Sequence, residues 1–185
     1  MARATVSDFL EVVAFSAEAH KDQRRKSGGA YINHPIRVAA TLAEVGAPER
    51  AVKAALLHDT LEDTEATYED LVQLAGYEVA DIVEELTDNK ELPKAERKRL
   101  TIEHARGLSL GAKFVKLADL LDNCTGILGD HPPEGWDEER IRAYGEWANK
   151  VREAAMGKYA QKGRGVDRQL ELLSDRLEAV ITKQP

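Results

Sequence analysis

A single cysteine, Cys124, stands in a chain of 185 residues, so no disulfide can form within it and a reducing compartment is expected. No uninterrupted apolar run approaches the ~18 residues of a membrane span. The opening stretch MARATVSDFLEVVAF is broken by Ser7, Asp8 and Glu11, which is unlike a signal peptide. An excess of positive charge is also missing: 26 Lys and Arg face 33 Asp and Glu, a net charge of −7. That balance excludes a general binder of nucleic-acid polymers, which needs a basic footprint against phosphate. A local basic cluster can still serve a small phosphorylated ligand. Aromatics are scarce at 5%, while 43% hydrophobic and 32% charged residues suffice for a core and argue against disorder. The length suits about one domain, expected to be soluble, cytoplasmic and without membrane contact.

Strand patterns longer than a few residues, internal repeats and low-complexity segments are absent, and helical periodicity runs through nearly the whole chain. A first helix is expected from Ser7 as N-cap, with Phe9, Val12, Val13 and Ser16 on one face. A basic, glycine-punctuated loop follows (Arg24-Arg25-Lys26-Ser27-Gly28-Gly29), then Tyr31-Ile32-Asn33-His34-Pro35, with Pro35 suited to a helix's first turn. Gly46 and Pro48 mark a stop and a restart. A third helix is expected over 49–62, then two shorter ones broken at Gly76, and a charged helix from Lys94 to Ala105 behind Pro93. A helix from Ser109 or Leu110 carries Phe114, Leu117, Ala118 and Leu121. The 129–135 stretch is the longest irregular loop, and helices over 137–156 and 166–182 close an all-α domain spanning 1–185.

The sharpest local signal is Leu56-Leu57-His58-Asp59-Thr60-Leu61-Glu62-Asp63. Ala54, Leu57, His58 and Leu61 fall on one stripe, which sets His58 on an apolar face. Glu62 and Asp63 follow Asp59 by one turn along the same side of a continuous helix. One reading is a satisfied core histidine beside a solvated acidic end. The other is a metal site, since carboxylates crowded beside an aliphatic stripe are costly to bury without a compensating cation. His34, at the mouth of a helix, is a candidate partner or simply a surface cap. Asp119 lies within Leu117-Ala118-Asp119-Leu120-Leu121, not the pattern of a solvated face, and shares its side of the helix with Lys116 and Asn123. Two imidazoles and two carboxylates suit Mn²⁺, Fe²⁺ or Zn²⁺, and the lack of thiolates disfavours a closed structural zinc site.

These segments occur in an order that resembles the HD-domain phosphohydrolases, and specifically the hydrolase domain of the RelA/SpoT alarmone proteins. The likeness rests on Gln23-Arg24-Arg25-Lys26, Tyr31-Ile32-Asn33-His34-Pro35, Ala55 to Asp63, Leu86-Thr87-Asp88-Asn89-Lys90, Leu92-Pro93-Lys94, Lys116-Leu117-Ala118-Asp119, Gly135-Trp136 and Tyr144-Gly145-Glu146-Trp147. It covers residues 8–155 and leaves no room within the chain for synthetase or regulatory domains, so the likeness is to a stand-alone small alarmone hydrolase.

The resemblance implies a helical bundle with a metal site between helices, Mn²⁺ held by His34, His58, Asp59 and Asp119, and removal of pyrophosphate from the 3′ position of (p)ppGpp to leave GDP or GTP. It implies that Glu62 and Asp63 orient the attacking water and handle its protons. Arg25 and Lys26 fall at positions for the nucleotide, Lys94 and Arg140 on the phosphate side, Tyr31 and Tyr144 at the pocket walls and Asn123 near the ribose. Lys116 is expected to support the site electrostatically. Trp136 and Trp147 are expected in the core, His104 and His131 on the surface, Cys124 in packing, and His20 at the end of the first helix. Thr125 and Gly126 replace a family arginine and the polar residue after it, which opens the question of base preference. The alternatives are another nucleotide, (p)ppApp or the 2′-phosphate of NADPH, a 5′-nucleotidase, a non-catalytic nucleotide sensor, or a partner that neutralises a synthetase. Monomer and homodimer both remain open.

Overall fold

The computed structural model describes residues 5–25, 28–129, 132–157 and 167–183, and every one of its regular elements is a helix. In chain order these are α1 (Val6–Ala19), α2 (Asn33–Glu44), α3 (Glu49–Leu57), α4 (Thr60–Asp63), α5 (Tyr68–Ala75), α6 (Tyr77–Leu86), α7 (Lys94–Ala105), α8 (Leu110–Ile127), α9 (Glu138–Met156) and α10 (Arg168–Thr182). The one departure is an isolated antiparallel bridge between Arg24 and Ala30, which closes the basic loop at its base. No helix among the described residues is long and apolar enough to cross a membrane.

The apolar stripes explain the packing. Helix α8 carries Phe114, Val115, Leu117, Ala118 and Leu120, all buried, and so is surrounded: α2, α3, α6, α9 and α10 pack against it. Val38 and Leu42 of α2 and the Ala54–Leu57 run of α3 complete the centre. Glycine ends elements where a left-handed backbone is needed, at Gly46 (φ +75°) after α2 and Gly76 (φ +87°) between α5 and α6.

Several boundaries differ from the sequence expectation. Thr5, not Ser7, caps α1, because the side chain three residues on must return the bond: Asp8 accepts from the Thr5 N–H at 2.8 Å while Thr5 Oγ1 accepts from the Asp8 N–H. Asp137 and Asp167 act as N-caps, so α9 begins one residue later than expected, at Glu138, and α10 two residues later, at Arg168. Val166 and His131 lie outside the described residues.

The largest difference is functional. The helix expected over 49–62 stops at Leu57 and resumes as α4 at Thr60. Three consecutive carbonyls of its last turn are taken by side chains. His58 Nδ1 sits 2.8 Å from the Ala55 oxygen, Ser16 Oγ donates to Leu56 at 2.6 Å, and Thr60 Oγ1 donates to Leu57 at 2.7 Å. Such bonds compete with the helical ladder, and Asp59 relaxes to φ −99°, ψ −3°. Ser16→Ala would leave a buried carbonyl unpaired, and we expect it to lower stability by about 1–3 kcal/mol in chemical denaturation.

Candidate active site

The break at His58-Asp59 turns both side chains toward α2 and α8. His34, on the first turn of α2, comes from the other side, and one nitrogen of each imidazole plus a carboxylate oxygen of Asp59 lie within 4.8 Å of one another. Asp119, from mid-α8, closes the group. Its Oδ1 lies 3.1 Å from His34 Nε2 and 3.8 Å from His58 Nε2, while Asp59 Oδ2 lies 3.1 Å from His58 Nε2 and 3.8 Å from His34 Nε2. The four residues come from α2, the α3–α4 break and α8, so only the tertiary fold assembles them.

The environment of the two rings fits a cation. His58 Nδ1 faces the Ala55 carbonyl, which fixes its proton there and leaves Nε2 as a lone pair. That Nε2 is buried without a hydrogen-bond partner. Two lone pairs and two carboxylates converging in a buried space repel one another unless positive charge lies between them. Without a cation a proton takes its place: burial opposes imidazolium, yet the facing aspartates outweigh it and hold His34 and His58 above the ordinary imidazole range. Burial likewise opposes the Asp59 and Asp119 carboxylates, and the imidazoles hold both below the ordinary range. The cluster stabilises positive charge at its centre, and its nitrogen–oxygen donor set fits a divalent ion with open positions.

Around this floor a cleft opens in two joined compartments. The inner one, about 210 Å³, is lined by the four cluster residues with Glu62, Asp88 and Lys116. The outer one, about 480 Å³, is lined by Arg24, Lys90, Lys94, Arg97, Asp63, Trp136 and Gly126. Arg25, Tyr31, Glu62, Lys98, Asn123 and Tyr144 line both and form the neck. The inner volume alone is below the usual range for ligand pockets of roughly 300–1,000 Å³, and the two together fall within it.

The acidic pair divides between the compartments. Glu62 lines the neck, accepts the Asp88 N–H at 3.3 Å and lies 3.9 Å from Arg97 Nη1. Burial pushes its carboxyl above the ordinary range, and nearby Asp88, Asp63 and Asp59 add to that. Asp63 faces the outer compartment and is ion-paired with Lys90. Tyr31 donates its hydroxyl to Asp59 Oδ2 at 2.7 Å. Burial, with the neighbouring carboxylates, raises its pKa far above normal, so it stays a donor. Arg25 donates to Asn123 Oδ1 at 2.6 Å, and Asn123 donates through Nδ2 to Asp119 Oδ1 at 2.6 Å.

Of the residues expected to bind substrate, Arg25, Tyr31, Lys94, Asn123 and Tyr144 line the cleft. Arg140 stacks on the outer wall, its guanidinium 4.2 Å from the Trp136 ring centre. Lys26 lies outside the described residues.

Two expectations are corrected, those for Trp136 and His20. Trp136 is a cleft wall between Lys94 and Arg140 instead of a core residue, and Trp147, although packed against the core, also borders the inner compartment. His20 is not merely a helix-end residue: it is buried, 4.8 Å from the Tyr31 ring, with Nδ1 on Gln23. Cys124 is packing, as expected: it is fully buried, and burial pushes its thiol up to about 12, which leaves it unreactive. His104 is exposed, as expected.

Lys98 lines both compartments and is not among the residues expected from the sequence. Its ammonium sits 4.7 Å from the Trp147 ring centre and 5.4 Å from that of Tyr144, at the neck, and burial lowers its pKa with help from Lys94 and Arg140. Inside Glu96-Arg97-Lys98-Arg99 it looked like any solvated helix charge; nothing local marks it.

A helical bundle with a His-Asp pair, a second histidine and a second aspartate meeting between its central helices defines the HD-domain class. Residues 12–150 match the family model of the HD domain, and the chain belongs to that family, whose fold implies a divalent metal. A Xenopus tropicalis protein, guanosine-3′,5′-bis(diphosphate) 3′-pyrophosphohydrolase MESH1, is 52% identical over 77% of this chain and 81% of its own length. The Homo sapiens protein of the same name is 48% identical over 82% and 86%. The solved structure of a metazoan orthologue of SpoT that hydrolyses ppGpp superposes with a TM-score of 0.82 at 40% identity, covering 96% of this chain and 97% of that one.

Proposed function

We propose that the protein is a metal-dependent 3′-pyrophosphohydrolase of guanosine 3′,5′-bis(diphosphate), releasing pyrophosphate and leaving GDP, or GTP from the pentaphosphate. The observation that carries this reading is the polarity of one continuous cleft. An acidic floor suited to a divalent cation opens through a neck into a basic, aromatic-lined chamber of nucleotide size. The likeness to MESH1 proteins supports the substrate class.

On this reading His34, His58, Asp59 and Asp119 would hold the metal, with Mn²⁺ the ion of choice among Mn²⁺, Fe²⁺ and Zn²⁺. A divalent ion there supplies a Lewis acid that lowers the pKa of water and screens the anionic phosphate. Glu62, raised by burial and lining the neck, takes the proton of the attacking water. Water oxygen joins the phosphorus next to the ribose, the bond from that phosphorus to O3′ breaks, and O3′ gains a proton. Asp63, anchored by Lys90, keeps the wall opposite the tyrosine in place. Arg25 and Lys26 take the nucleoside end, Asn123 the ribose, and Tyr31 and Tyr144 confine it. Lys94 and Arg140 meet the distal phosphates beside Trp136. The protein works as a single HD-type domain over 1–185 in the cytoplasm, on a small nucleotide.

Lys98 belongs to the same machinery, because an ammonium at the neck faces the charge of the departing pyrophosphate. Lys98→Met should lower kcat/KM about 10- to 100-fold, the worth of one hydrogen bond to a charged group, measured in steady-state kinetics. An unchanged value removes Lys98 from the site.

The direct test is to incubate metal-stripped protein with Mn²⁺ and, separately, ppGpp, ppApp and NADPH, resolving products by anion exchange. Metal-dependent release of GDP and pyrophosphate is expected. Faster turnover of ppApp or NADPH would replace the base or the substrate, and tight binding without turnover of any of them would make the protein a sensor.

A further inference from the structure

His34 is gripped from both sides by one helix. Its Nε2 faces Asp119 across 3.1 Å, and its Nδ1 lies 2.7 Å from Oδ2 of Asp122, one turn further along α8. Asp122 is itself held in a fork by Arg37, with Nε to Oδ1 at 2.6 Å and Nη2 to Oδ2 at 3.0 Å. Arg37 stands three residues after His34 on α2. Two i, i+3 pairs on facing helices therefore make a closed clamp, with the imidazole between two carboxylates and the guanidinium at the rear. Asp122 is outside both compartments of the cleft, so it does not line the space for substrate.

The two imidazoles are not equivalent. The rear nitrogen of His58 meets a neutral backbone carbonyl, whereas that of His34 meets a full carboxylate. A carboxylate behind an imidazole fixes which nitrogen carries the proton, stops the ring rotating, and makes the opposite nitrogen a stronger donor to a cation. We propose that Asp122, locked by Arg37, is the positioning residue that presents His34 Nε2 to the divalent ion and sets the site's affinity from the far side of α8. The inference rests on His34 being a ligand, and it concerns metal affinity, not the identity of the nucleotide.

The test is a Mn²⁺ titration of the metal-stripped protein, following free Mn²⁺ by electron paramagnetic resonance. Asp122→Ala should weaken binding about 10- to 100-fold. Asp122→Asn, which keeps an acceptor without the charge, should fall between that variant and the parent. Arg37→Met, which leaves Asp122 in place, should weaken binding less. Adding Arg37→Met to Asp122→Ala should cost nothing more, because Arg37 acts only through Asp122. At saturating Mn²⁺ the variants should regain kcat with KM unchanged, which a general packing defect would not allow. If Asp122→Ala does not fold, Asp122→Asn and Arg37→Met decide. Mn²⁺ affinity within twofold of the parent in both Asp122→Asn and Arg37→Met overturns the proposal. Loss of ppGpp turnover in the parent would overturn the substrate reading instead and leave the titration intact, and Mn²⁺ retention by His34→Ala would show that His34 is no ligand.

Discussion

Replacing His58 or Asp119 by alanine is expected to strip the protein of its divalent ion and reduce turnover of ppGpp by about 10³-fold or more. The reason is electrostatic. On the proposed reading each group would supply a donor at the point where two imidazoles and two carboxylates converge. Losing either leaves the others without the cation that compensates them, and the several kcal/mol of charge stabilisation that a metal contributes is lost with it. The two variants should differ in stability. Asp119→Ala also frees the Asn123 amide, which donates to it, and so loosens the neck through Arg25. His58→Ala frees the Ala55 carbonyl at the helix break. Metal content of dialysed protein, measured beside the rate, is the deciding pair of readings. Full activity with Mn²⁺ still bound would show that the ligands are assigned wrongly.

Glu62→Gln is expected to lower kcat about 10²- to 10⁴-fold, the usual worth of a positioned general base, while Mn²⁺ affinity and KM change little. The amide keeps the size of the side chain and can still accept the Asp88 N–H. The pH profile adds a second reading. Burial raises the carboxyl of Glu62, so on acidification it gains its proton at a higher pH than an ordinary glutamate. Because the base form is the active one, the parent's rate should fall as pH drops through that raised value, and the residual rate of Glu62→Gln should lack this limb. A Gln variant that keeps the parent's kcat would move the role to Asp63, whose contact with Lys90 suits it better to holding the wall.

The amino-acid sequence by itself determined the helical character and most helix limits, because these depend on near neighbours. Pro93 before α7, Ser109 before α8 and Gly76 between α5 and α6 act within a turn or two of their own position. It also made His34, His58, Asp59 and Asp119 visible, as polar groups in apolar stripes or at helix mouths. The family likeness gave those residues roles that spacing alone did not.

The tertiary structure decided what depends on distant partners. The helix break at His58-Asp59 needs Ser16, 40 residues earlier, to occupy a carbonyl that local propensity would assign to the ladder. Trp136 faces the cleft because Lys94 and Arg140 from two other turns of the fold flank it. Asp122 carried a readable signal, one turn beyond Asp119, but its meaning lies 88 residues away at His34. Periodicity reports which face of a helix is apolar. Which imidazole nitrogen meets which carboxylate is fixed only when α2 and α8 pack.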